Sequence, residues 1–103
     1  MSSLNAPELI EVDPAELHLP PSRLEGADPA KLQRQIASYG LSIVGMLPIW
    51  VSRGTDGRYM INNGVTRATR VAKLLPGTNV MVEVIDLLTI PASRFPTVKD
   101  KLP

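Results

Sequence analysis

The chain has 103 residues, of which 44% are hydrophobic and 20% are charged, and its formal net charge is +1. This length fits one domain, and the ordinary globular composition argues against global disorder. The absence of cysteine excludes a disulfide framework, a thiol nucleophile and a thiolate zinc site, and one histidine cannot build a histidine-rich metal site.

The sequence shows no feature of secretion or membrane insertion. Residues 1–5 lack the basic start and apolar stretch of a signal peptide. The longest apolar window, residues 45–51, contains Pro48 and is far too short to span a bilayer. We therefore expect a cytoplasmic protein without membrane contact, and the lack of cysteine fits that compartment.

The first half of the chain predicts a flexible N-terminus at 1–8, a strand at 9–12 and a helix at 29–39. An Asp-Pro pair stops the strand. The helix is predicted because Asp28 is a favourable N-cap and Pro29 occupies the first helical position. A glycine directly after residue 39 is a natural helix end.

The second half predicts strands at 48–52 and 58–62, joined by a glycine-rich hairpin turn, a helix at about 67–75 and a strand at 80–85. Residues 87–103 contain three prolines and are interpreted as a tail or docking arm. This order of elements predicts a small single α/β (α+β) domain with a mixed sheet and two main helices.

Apolar periodicity also predicts which side chains are buried. Ile36 and Leu74 lie on the apolar faces of the two helices, and both are expected in the core. Trp50 is expected to be a core residue rather than a stacking platform for a base. His18 is interpreted as a surface or edge-strand histidine rather than a base.

The chemically informative stretch is the turn from a strand into the second helix. A helix N-terminus has unpaired N–H groups and a partial positive charge. Asn63 and Gly64 form the turn, and glycine allows a ligand close to the backbone. Thr66 can cap the helix or bind a phosphate oxygen, while Arg67 offers a charged fork and Arg70 shares its helical face. Together these residues predict an anion-binding cradle.

An ordinary structural role is the alternative, because Asn-Asn-Gly is a common turn and Thr66 can serve only as a cap. However, two arginines near a helix N-terminus oppose the helix dipole and need an offsetting reason. The distribution of charge agrees with an anion. Residues 1–52 hold three cations and six acids, whereas residues 53–103 hold eight cations and four acids.

The order of these elements resembles the N-terminal domain of ParB proteins, which shares a fold with sulfiredoxin. The resemblance covers about residues 9–86 and implies a ParB/sulfiredoxin-like domain. The segments that carry it are the strand at 9–12, Pro21-Ser22-Arg23, the helix at 29–39, Pro48-Ile49-Trp50-Val51, Asp56-Gly57-Arg58-Tyr59, Asn63-Gly64-Val65-Thr66-Arg67 and the strand at 80–85.

The resemblance implies that Gly64 and Arg67 contact phosphate and that Arg23 faces the same nucleotide site. In ParB proteins this site binds cytidine triphosphate, so a nucleoside triphosphate with Mg²⁺ is a possible ligand. Val65 and Thr66 replace the usual glutamate and arginine, which puts hydrolysis in doubt. Without cysteine the chain cannot act as a sulfiredoxin, and it lacks the helix-turn-helix region of ParB.

Three functions stay open from the sequence. The leading hypothesis is a module that binds a nucleotide or a nucleic-acid phosphate at Asn63–Arg67, with Arg23 and Arg70 assisting. The second is a ParB-like nuclease or phosphate-hydrolysing enzyme, for which no base can be assigned. The third is a protein-interaction or toxin/effector domain with a decayed site. Glu83 and Asp86 are interpreted as solvated carboxylates rather than metal ligands.

Overall fold

The computed structural model of the chain describes residues 7–103. The predicted flexible N-terminus lies outside the described residues up to residue 6, and a strand already begins at Glu8. The regular elements are β1 (Glu8–Val12), α1 (Pro29–Tyr39), β2 (Ile49–Arg53), β3 (Tyr59–Asn63), α2 (Val65–Leu74) and β4 (Val80–Leu87), with short 3₁₀ turns between and after them. They follow the predicted order.

The four strands form one mixed sheet in the order β1-β4-β2-β3. The pairs β1–β4 and β2–β3 are antiparallel, whereas β2 and β4 are parallel. Both helices are present, so the predicted α+β class with a small mixed sheet is confirmed. Among residues 7–103, no helix has the length and apolar content needed to cross a bilayer.

The core lies between the sheet and α2, and α1 packs against α2. The α1 helix begins as predicted, with the Asp28 carboxylate accepting a hydrogen bond from the Lys31 N–H at 3.1 Å. Its fully buried residue is Leu32. The buried core residues are Leu17, Leu19, Ile49, Val51, Ile61, Ala68, Val71, Ala72, Val80, Val82 and Val98.

Several predictions about burial were wrong. Ile36 and Leu74 are only partly buried, because each lies at the border of its helical face. Trp50 is 46% exposed. Its neighbours Ile49 and Val51 are fully buried, and successive strand residues point to opposite faces of a sheet, so Trp50 faces away from the core.

His18 lies at the edge of the sheet, as one of the two predicted alternatives has it, but it is buried there between β3 and the C-terminal segment rather than on the surface. Its N–H donates to the Tyr59 carbonyl at 2.9 Å, and its carbonyl accepts from the Ile61 N–H at 2.9 Å. Its ring Nδ1 lies 2.6 Å from the Phe95 carbonyl oxygen. Residues 17–19 thus cover the edge of β3, which would otherwise expose unpaired backbone groups.

The segment 87–103, interpreted from the sequence as a tail or docking arm, packs closely on the domain. The Leu19 N–H donates to the Pro96 carbonyl, and the Val98 N–H donates to the Leu17 carbonyl, both at 2.8 Å. Ala92 and Val98 are its buried side chains. This segment is therefore a structural part of the domain.

Asp56 connects the β2–β3 hairpin to this C-terminal segment. Its carboxylate accepts hydrogen bonds from the N–H groups of Ala92 and Ser93, each at 3.1 Å, and of Arg58 at 3.2 Å. Desolvation acts to raise the pKa of Asp56, but hydrogen bonds from Ser93, Arg58 and Ala92 outweigh it and hold that pKa well below its usual range.

Candidate functional site

The candidate site is built where β3 turns directly into α2. The strand ends at Asn63, Gly64 is the N-cap with φ of 117°, and the helix begins at Val65. No side chain caps the helix, so Thr66 lies inside the first turn and does not act as the cap. The helix starts two residues earlier than predicted because Gly64 itself adopts the left-handed conformation. The first N–H groups of α2 are therefore available to a ligand.

Gly64 is required for two physical reasons. Its positive φ is a conformation that side chains with a Cβ rarely adopt. A Cβ at this position would also lie 2.9 Å from Nη2 of Arg67 and 3.1 Å from Cγ1 of Ile49. The absence of a side chain thus allows the Arg67 guanidinium to lie against the turn that starts the helix.

Arg67 is held in place but keeps most of its donors free. Its Nη2 donates to the Pro48 carbonyl at 3.3 Å, and its Nε is buried without a partner among residues 7–103. Burial lowers the pKa of Arg67, although an arginine remains protonated at neutral pH. A partly buried cation with an unpartnered Nε is costly, and a bound anion would offset that cost.

These groups face a cleft of about 380 Å³, a size within the range of small-molecule sites. Its charged lining residues are Arg23, Lys31 and Arg67, and none of the described residues that line it is acidic. The other lining residues are Pro20, Ser22, Gln35, Asn62, Asn63, Gly64, Val65 and Thr66. The cleft therefore has the charge and the donors that an anion needs.

Five of the six residues predicted from the sequence meet at this cleft: Arg23, Asn63, Gly64, Thr66 and Arg67. Arg23 comes from the 3₁₀ turn Pro21–Arg23, which is distant in the sequence from the glycine turn. It is exposed, and its Nη1 donates only to the Ser22 carbonyl, at 3.3 Å, within the described part of the chain.

Lys31 and Gln35 also line the cleft, and the sequence reasoning missed both. They lie four residues apart on one face of α1. A signal was available for Lys31, because it is a cation in the first turn of a helix, where the helix dipole disfavours positive charge. The same argument had singled out Arg67.

Arg70 does not line the cleft, so its predicted role in phosphate binding is corrected. It is only 1% exposed, and its Nη1 donates to the carbonyls of Gly40 at 2.7 Å and Ser42 at 2.9 Å. Its Nε donates to Oε1 of Gln35 at 3.3 Å. Residues three apart differ by about 60° around the helix and about 4.5 Å along it, and at that position Arg70 reaches the loop after α1 instead of the cleft.

Carboxylates are not part of this site. Glu83 and Asp86 lie on β4 and do not line the cleft, and the Asp86 Oδ1 accepts a hydrogen bond from the Leu87 N–H at 2.8 Å. No group of three or more metal-ligating His, Cys, Asp or Glu side chains occurs among residues 7–103. The described cleft residues fit an anion and offer Mg²⁺ no carboxylate, so a Mg²⁺ ion would have to take its oxygen ligands from a bound phosphate.

Searches against protein-family models, curated proteins and solved structures found no match to this chain. The chain is a small α+β domain with a basic cleft at the N-terminus of α2, where no side chain among the described residues caps the helix. Any function has to be argued from the residues of that cleft.

Proposed function

We propose that this chain is a ParB-like domain that binds a nucleotide or a nucleic-acid phosphate at Asn63–Arg67. The observation that carries the proposal is the meeting of Arg23, Lys31 and Arg67 around the uncapped N-terminus of α2. These cations come from a 3₁₀ turn and two helices that are distant in the sequence.

The chemistry of each group supports phosphate as the ligand. Backbone N–H groups at a helix start bind phosphate oxygens, and the guanidinium groups of Arg23 and Arg67 match phosphate geometry. Lys31 adds a point charge, and the Thr66 hydroxyl and Asn63 amide add neutral donors. A carboxylate of the same size would use fewer of these donors than a phosphate does.

The lining residues favour binding over catalysis. Hydrolysis of a phosphate ester needs a group that activates the attacking water, most often histidine, a carboxylate or a metal-bound hydroxide. None of the described lining residues is His, Asp or Glu, and Val65 occupies the position where ParB proteins carry glutamate. The nuclease or hydrolase hypothesis is therefore the second choice.

Calorimetric titration with nucleoside triphosphates, with and without Mg²⁺, tests the proposal on the unmodified chain and on Arg67→Gln. We expect Arg67→Gln to bind at least about tenfold more weakly, because a lost charge-assisted hydrogen bond contributes about 1.5–3 kcal/mol. Thermal unfolding of both proteins checks that the variant is folded.

Arg58→Gln is the matched control, because Arg58 is an exposed arginine in the β2–β3 hairpin and does not line the cleft. It removes the same charge and should leave the dissociation constant unchanged. Equal binding by Arg67→Gln and the unmodified chain would contradict the proposal. Cleavage of the nucleotide during the titration would instead favour the hydrolase hypothesis.

A further inference from the structure

The cleft continues into a second depression along α1. This depression has a volume of about 310 Å³ and is called the α1 groove here. It shares Lys31, Gln35 and Thr66 with the cleft, so the two form one continuous surface. The residues that the groove adds are Arg34, Ser38 and Tyr39.

Positive charge extends along this combined surface. Arg23, Lys31, Arg34 and Arg67 line it, and none of the described lining residues of either depression is Asp or Glu. The ion pairs among residues 7–103 are Arg53–Glu8 and Lys101–Glu25, so the four cations have no carboxylate partner there. The chain as a whole has a net charge of only +1. The positive charge is therefore concentrated on this one surface.

The combined surface also extends along α1 beyond the cleft. Lys31 and Tyr39 are eight residues apart on α1, which corresponds to about 12 Å along the helix axis. Lys31 is already a wall of the cleft, so the groove adds this distance to a site that has its own place for phosphate.

Tyr39 supplies an aromatic ring at the far end. None of the described residues that line the cleft is aromatic, so a base bound there has no ring from this part of the chain to stack on. Tyr39 is 56% exposed, and its ring centroid lies 5.4 Å from Cζ of Arg70. Because Arg70 is fixed by the carbonyls of Gly40 and Ser42, it supports the ring from beneath. An exposed aromatic ring beside a basic track is the arrangement that proteins use to bind single strands.

Building on the proposed phosphate site, we infer that the ligand is a single-stranded nucleic acid. One phosphate occupies the cleft at Gly64 and Arg67, the backbone follows Lys31 and Arg34 along the α1 groove, and an unpaired base stacks on Tyr39. A duplex would keep its bases stacked on one another and unavailable to Tyr39.

Fluorescence anisotropy with labelled oligothymidylates of three, six and twelve nucleotides tests this inference, with thymidine triphosphate as an unlabelled competitor. We expect the longer strands to bind at least about tenfold more tightly than the triphosphate. Arg34→Gln should weaken binding of the twelve-nucleotide strand. It should also reduce by about 0.7 the steepness with which log K falls as log salt concentration rises. The affinity for the triphosphate should be unchanged.

Tyr39→Leu should weaken binding of the same strand about five- to a hundredfold, because stacking of one base on an aromatic ring contributes a binding free energy of that size. Circular dichroism melting checks that the variant is folded, and Arg58→Gln serves again as the control for charge. Equal affinity for a twelve-base-pair duplex, no dependence on strand length, or silent Arg34→Gln and Tyr39→Leu variants would overturn the inference while triphosphate binding stands. If neither the triphosphate nor any strand binds, the proposed phosphate site itself is wrong.

Discussion

The two arginines of α2 are one helical turn apart, and the protein uses them in opposite ways. Arg67 lies at the cleft with one hydrogen bond, to the Pro48 carbonyl, and a buried Nε that has no partner among residues 7–103. Arg70 is buried and donates to two carbonyls of the loop after α1 and to the side chain of Gln35. A cation with satisfied donors has a structural role, whereas one with spare donors can bind a ligand.

This difference shows why residue type and helical spacing do not identify a binding arginine. Both residues bring the same charge to the same helix, although only Arg67 lies in its first turn, where the helix dipole opposes a cation. Their roles are decided by the surrounding backbone. Carbonyls after α1 point at Arg70, while Gly64 has no side chain and so lets the Arg67 guanidinium lie against the turn at the cleft.

Replacing Arg70 should produce the largest change in stability. We expect Arg70→Met to lower the free energy of unfolding by about 2–4 kcal/mol, because methionine keeps part of the buried volume but loses charged hydrogen bonds to the loop. Urea denaturation measures this change. At temperatures where Arg70→Met is still folded, nucleotide titration should give the same affinity for this variant as for the unmodified chain.

Lys73→Met is the matched control on the same helix, because Lys73 is exposed and its Nζ donates only to the Pro103 carbonyl, at 3.1 Å, within the described part of the chain. It should change stability by no more than about 0.5 kcal/mol. A stable Arg70→Met variant with weakened nucleotide binding would reverse the roles assigned to the two arginines.

The sequence predicted the elements well because their signals are local. Asp28-Pro29 marks the start of α1, and Gly64 marks the strand-to-helix turn, without knowledge of distant residues. The structural role of Arg70 could not be predicted, because its hydrogen-bond partners Gly40 and Ser42 lie 30 and 28 residues away in the sequence.

Burial and the walls of the cleft also depend on long-range contacts. Trp50 was expected in the core because its strand is apolar, but Ile49 and Val51 occupy the core side of β2, so the alternation of the strand puts Trp50 on the other face. The helix dipole marks Lys31 as an unusual cation, but the sequence does not show that the first turn of α1 lines the same cleft as the first turn of α2. Both outcomes follow from packing rather than from local propensity.

Gly64→Ala should lower both the stability of the domain and its affinity for nucleotide, each by an intermediate amount. We expect a loss of about 1–3 kcal/mol in stability, because alanine strongly disfavours this positive φ. Binding should also weaken, since the new Cβ would displace the Arg67 guanidinium from the turn. Chemical denaturation and nucleotide titration measure the two effects separately.

Gly57→Ala is the control that separates the effect of backbone strain from the effect of displacing the Arg67 guanidinium. Gly57 has φ of 78° in the β2–β3 hairpin, and a Cβ there would have no atom within 4 Å beyond its own neighbours. This variant should lose stability through backbone strain and keep its affinity for nucleotide. Unchanged binding by Gly64→Ala would show that the position of Arg67 against the turn is unimportant for the ligand.

Thr66→Val should give the smallest effect, and it tests whether the first turn of α2 contributes side-chain contacts to the ligand. Thr66 lies in the first turn of α2 on the cleft wall, and it does not cap the helix, so valine of similar size should change stability by less than about 0.5 kcal/mol. Losing one neutral hydrogen bond to phosphate should weaken nucleotide binding about two- to tenfold, which calorimetric titration can measure. Thr66→Ser keeps the hydroxyl and should retain most of the affinity. If serine and valine weaken binding equally, the methyl group rather than the hydroxyl of Thr66 matters, and the phosphate contacts are limited to the backbone and the cations.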